Sequence, residues 1–139
     1  MESGHAVRGT TRDPARTAAI EDAGAEAVVA DPGRLATLLP HVAGVSAMCW
    51  LLGSADGAPE LQGDRLQSLM ERLVDTPVRG VVYEGAGNVD SELLAQGARI
   101  VREASAVSRI PVEIIEEDPA SHSDWRAAMM DAIERLLAR

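Results

Sequence analysis

At 139 residues the chain is long enough for one domain with a core of its own. Apolar residues make up 46% and charged residues 25%, the balance of a soluble globular protein rather than a disordered one. A net charge of −9 argues against nucleic acid and anionic membrane as partners, and no run approaches the roughly 18 apolar residues of a membrane span.

His5 to Thr11 reads as a first strand, and Asp13-Pro14 as an N-cap with proline at the first helical position. The helix that follows carries Ala18, Ala19 and Ile20 and is expected to stop at Gly24. Ala25 to Ala30 is a second short strand. Asp31-Pro32 repeats the cap signal before a helix with Leu35, Leu38 and Leu39 on one face. Ser46 to Leu52 is a nearly unbroken apolar run closed by Gly53, as a strand covered on both faces requires. Ser54 to Pro59 reads as a loop.

Leu66, Leu69, Met70, Leu73 and Val74 then fall at helical spacing, and Pro77 ends that element. Val78 to Tyr83 is a fourth strand, leading into Glu84-Gly85-Ala86-Gly87. Asp90 or Ser91 caps a long helix to about Ser108, and Pro111 to Ile115 is the last strand. Ser121 with Asp124 resembles a capping box ahead of a helix whose stripe is Trp125, Met129, Ala132, Ile133 and Leu136. Strict strand–helix alternation with short connections predicts an α/β fold. The expected form is a doubly wound three-layer sandwich on a mainly parallel, five-stranded sheet, all within one domain over residues 1–139.

The chemistry-bearing residues are sparse. All thirteen basic residues are arginine, which removes any Schiff-base lysine, P-loop lysine or Tyr-x-x-x-Lys relay from this chain. His5, His41 and His122 lack metal-ligand spacing, so no metal is expected. Cys49 is the single cysteine, inside the most apolar strand. It reads as a buried, inert thiol, and with no disulfide and no visible secretory leader a cytoplasmic location is expected. Tyr83 ends its strand and reads as a packing residue with its hydroxyl at the surface. Glu84 is the one carboxylate at the ligand-binding end of the sheet, without an identified partner. Glu113, Glu116, Glu117 and Asp118 read as charges guarding a sheet edge.

GHAVRGTTRDPAR, then GAEAVVADP, an apolar strand ending in WLLG, and PVRGVVYEGAG resemble the NAD(P)-binding domain of atypical or extended short-chain dehydrogenase/reductases, the NAD-dependent epimerase-like proteins among them. The resemblance runs over nearly the whole chain, with Gly4-His5 matching the pair that ends the family's first helix. It implies a Rossmann-like fold entered late, lacking the first strand and the glycine-rich turn whose N–H groups hold the dinucleotide pyrophosphate. Gly85-Ala86-Gly87 does not replace that turn, because Asp90 stands where a third glycine is needed.

By the same resemblance Thr11 and Arg12 face the adenosine ribose and its 2′-phosphate. Asp31 lies on the adenine side, and Leu52, Gly53 and Ser54 near the nicotinamide ribose. NADP or NAD is then a weakly held cofactor, and no catalytic residue can be placed. The expectation is a degenerate NAD(P)-binding Rossmann-like domain without catalysis of its own. One alternative is an epimerase- or reductase-like protein whose glycine-rich segment is absent from this chain. Another is a non-catalytic protein binding a nucleotide or small ligand. With the first strand missing, the His5 and Ser46 strands are expected to pair directly, and a homodimer to form.

Overall fold

The computed structural model describes residues 5–53 and 58–138. They divide into two compact units, Met1–His41 and Val42–Arg139.

In the first unit β1 (Arg8–Thr11) and β2 (Glu26–Val29) pair in parallel, Arg8 opposite Glu26 and Thr11 opposite Val29. A 3-10 turn at Pro14–Arg16 and helix α1 (Thr17–Asp22) connect them. Asp13 caps the turn by accepting the Ala15 N–H at 2.9 Å, while Pro14 has no N–H to satisfy. Gly24 takes φ 92, the left-handed backbone that ends a helix at little cost in glycine. A Cβ on Gly9 would come within 2.9 Å of Ile20 Cγ2, so glycine lets α1 lie close against β1.

Helix α2 (Leu35–Leu38) does not start at Asp31-Pro32 as the cap signal suggests. Asp31 Oδ1 accepts the Gly33 N–H at 2.9 Å and the Asp31 carbonyl accepts the Arg34 N–H at 2.8 Å. Asp31 thus closes a turn, and the helix begins only beyond it.

In the second unit β3 (Ala47–Trp50), β4 (Gly80–Glu84) and β5 (Val112–Ile115) form a parallel sheet in the order β3-β4-β5. All five β4 residues are buried, as the central strand of a covered parallel sheet requires. Side chains alternate across it. Tyr83 reaches the Leu94 carbonyl on α4 (Ser91–Ser108), against which α3 (Asp64–Leu73) packs. Val82 and Ile115 face the other way, into a cluster with Met129, Ala132 and Leu136 of α5 (His122–Leu137). This unit is therefore three-layered, with α4 and α3 over one face and α5 over the other.

Asp90 caps α4 as expected, its side chain accepting the Glu92 N–H at 2.9 Å. Ser121 precedes α5 but makes no side-chain cap bond, so the expected capping box does not form. Glu113 pairs with Arg135 of α5 at 2.8 Å, which places that carboxylate on the edge strand as the sequence suggests.

The alternation is as expected, but the single five-stranded sheet is not. Among the described residues the ladders form one sheet of two strands and one of three, and the direct pairing expected of the His5 and Ser46 strands is absent. The reason lies in β1 itself. Its sequence is Arg-Gly-Thr-Thr and none of its residues is buried, so it lacks the apolar side chains that hold a strand at the centre of a parallel sheet.

Candidate functional site

The six residues expected to meet a coenzyme fall into both units. Thr11, Arg12 and Asp31 belong to the first, Leu52 and Gly53 to the second, and Ser54 lies outside the described residues, as does Gly4.

Thr11 ends β1 and Asp31 follows β2, so the two stand at the same end of one parallel pair, where Thr11 O accepts the Ala30 N–H at 2.9 Å. Both side chains are engaged in local turns. Thr11 Oγ1 accepts the Asp13 N–H at 3.1 Å, and Asp31 Oδ1 holds the Gly33 N–H. Arg12 is exposed and has no hydrogen-bond or ion-pair partner among the described residues.

The turn after β3 is closed from within. Leu52 O accepts Gln62 Nε2–H at 3.0 Å, Gly53 N–H donates to Glu84 Oε1 at 2.7 Å, and Gly53 O accepts the Val89 N–H at 2.9 Å. Gly53 is buried, and a Cβ there would overlap the Ala86 carbonyl and lie 2.9 Å from Glu84 Oε1. Only glycine fits beneath the 85–89 loop.

Glu84, left without a partner by the sequence, gains two. It is 4% exposed, and its second oxygen accepts Trp125 Nε1–H at 2.7 Å. The indole comes from α5, which no local pattern connects to β4. His122 stacks on the same indole, with ring centroids 6.0 Å apart. Glu84 therefore acts as a brace linking the β3 turn to α5.

Tyr83 corrects the sequence expectation outright: its hydroxyl is not at the surface. The residue is 0% exposed, and the hydroxyl donates to Gln62 Oε1 and lies 3.3 Å from the Leu94 carbonyl. Burial, reinforced by the negative charge of Glu84, pushes the phenol well above its usual range, so it stays a donor at neutral pH. Gln62, itself buried, accepts the Gln96 Nε2–H on its backbone carbonyl at 3.2 Å. Sequence reasoning missed Gln62. The available signal was Gly97, a glycine in mid-helix that marks a close approach from outside α4.

Cys49 packs half-buried against the α5 cluster, and desolvation pushes its thiol up to about 11. At pH 8 the folded protein should react with a disulfide reagent much more slowly than the denatured chain, because little of the thiol is ionised. A fast stoichiometric reaction of the native protein would contradict this. The same shift makes stability fall as pH rises above the ordinary thiol range toward the folded value, because the unfolded chain releases its proton first.

Among the described residues no group of three His, Cys, Asp or Glu is placed to hold a metal, and no helix is long and apolar enough to cross a membrane.

Neither family models nor curated proteins match the sequence. Solved structures do. The triphenylmethane reductase of Citrobacter sp. in complex with NADP(H) superimposes with a TM-score of 0.60 at 18% identity. A second structure of that reductase, from work on the bioremediation of triphenylmethane dyes, gives 0.60 at 17%. The fold is Rossmann-like. The match covers 77% of this chain but 38% of the reductase, so the chain spans well under half the length of the protein it resembles.

Proposed function

We propose that this chain is an NAD(P)-binding-type Rossmann-like domain that holds NADP or NAD weakly and performs no catalysis by itself. The fold shared with an NADP(H)-bound reductase supports the coenzyme class. The weakness rests chiefly on one observation: the Leu52 carbonyl and both backbone polar groups of Gly53 are already bonded within the protein. A nicotinamide ribose arriving there would have to displace Glu84, Gln62 or the Val89 N–H. The 139-residue sequence also holds no glycine-rich dinucleotide turn and no lysine. Thr11, Arg12 and Asp31 remain as an adenosine-side contact, with the Arg12 guanidinium suited to a 2′-phosphate. A homodimer and a cytoplasmic setting belong to this reading and rest on the sequence.

Calorimetric titration of NADPH and NADH into this chain tests it. No saturation is expected below about 1 mM, a binding free energy weaker than about −4 kcal/mol. Micromolar NADPH binding that disappears in Arg12→Ala would overturn the proposal in favour of a working coenzyme site.

A further inference from the structure

A cavity in the second unit has no part in the coenzyme reading. It holds about 310 Å³ and lies between Gly85, Ile114 and Glu116 on the sheet side and Ser91, Arg99 and Arg102 on α4. It opens where β4 and β5 end, and open α/β sheets receive ligands outside the carboxyl ends of their strands. Leu94 and Ala98, only 4% and 8% exposed, give it an apolar floor. At Gly85 a Cβ would stand 3.2 Å from Ile114 Cγ2, so glycine lets the chain after β4 lie close against β5 at this wall.

Arg99 and Arg102 stand three residues apart on α4, hence on neighbouring turns of one face. Neither side chain has a hydrogen-bond or ion-pair partner among the described residues. The sequence carries 22 acidic residues against 13 arginines, so carboxylates to neutralise such a pair are abundant. Two arginines nevertheless line the same cavity. Their forked donors match the oxygens of a phosphate or carboxylate. Glu116 adds one opposing charge on the sheet side.

We propose that this cavity binds a small ligand through a single phosphate or carboxylate group held by Arg99 and Arg102, with Glu116 acting against a second anionic group. The site stands independently of coenzyme binding.

Inorganic phosphate and acetate, titrated separately into the full chain at constant ionic strength, test the site through the arginine Nε–Hε NMR signals. At least one of the two is expected to shift Arg99 and Arg102 together and saturably, and which one does so identifies the group recognised. Arg99→Gln and Arg102→Gln should each weaken binding about tenfold, and the double variant should abolish it. Glu116→Gln should tighten it severalfold. Both arginines are exposed, so the melting temperature of these variants should stay close to that of the parent. Shifts spread without saturation over all arginines, or equal affinity in the double variant, would overturn the proposal. So would unchanged affinity in Glu116→Gln. Arg12→Ala should leave phosphate binding intact, which separates failure here from failure of the coenzyme reading.

Discussion

Gly97→Ala is expected to destabilise the protein by about 2–3 kcal/mol, although the same change inside an exposed helix ordinarily stabilises by about 1 kcal/mol. Gly97 is a buried position in the middle of α4, and Tyr83 of β4 presses against it. A Cβ there would overlap the Tyr83 hydroxyl, lie 2.6 Å from Cζ and 3.1 Å from Gln62 Oε1. The ring cannot swing away, because it is fully buried and its hydroxyl is held by Gln62 and the Leu94 carbonyl. Chemical denaturation of the variant measures the loss. Tyr83→Phe alone should cost about 1–2 kcal/mol, since it leaves Gln62 Oε1 buried without its donor. Combined with Gly97→Ala it should cost less than the sum by at least about 1 kcal/mol, because the missing hydroxyl makes room for the methyl. Strict additivity, or a stabilising Gly97→Ala, would show that α4 and β4 do not meet in this way.

Glu84→Ala is expected to cost about 3 kcal/mol. The carboxyl group is the acceptor for both the Gly53 N–H and Trp125 Nε1–H, and its removal strands two donors at a buried position. Glu84→Gln should recover only part of this. An amide has a single acceptor oxygen, so one of the two N–H groups then meets an NH₂ group rather than a lone pair. Trp125→Phe deletes one donor together with part of the packing and should cost about 1 kcal/mol. Urea denaturation of the three variants orders them, with a red shift of the Trp125 emission in Glu84→Ala as the local sign. A Glu84→Gln variant as stable as the parent would mean that the carboxyl group does not bridge the β3 turn and α5. The outcome also bears on coenzyme binding, because this brace is what keeps the Leu52-Gly53 turn occupied from inside.

Reading these elements from the chain alone succeeds where the cause is local. The apolar run at β3, the Asp90 cap and the hydrophobic spacing of α3 each act within a few residues, so strand and helix positions follow to within about a turn. Asp31-Pro32 misleads for a local reason as well. An aspartate before a proline serves a turn as readily as a helix cap, and here Gly33 gives it the turn. The sheet count fails for a different reason. Alternation shows that strands are parallel, yet which of them share a ladder depends on side-chain burial across many residues, and Arg-Gly-Thr-Thr contributes little of it.

At the candidate site the divide follows the same line. Glu84 was legible as a carboxylate at the end of a strand, and Arg12 as an exposed cation; Gln62 and the hydroxyl of Tyr83 were not. Gln62 and Tyr83 meet across 21 residues, and the two partners of Glu84 lie 31 and 41 residues from it along the chain, at separations no periodicity encodes.

From composition and pattern alone came an acidic α/β chain without lysine, with strands and helices in alternation, because those features are written in neighbouring residues. Only the tertiary structure decided that the sheet is not one continuous array, that Glu84 and Gln62 close the Leu52-Gly53 turn, and that Arg99 and Arg102 share a cavity with Glu116. Hydrogen bonds and charges find their partners in space, after hydrophobic packing has brought distant segments together, and that meeting has no signature in the order of residues.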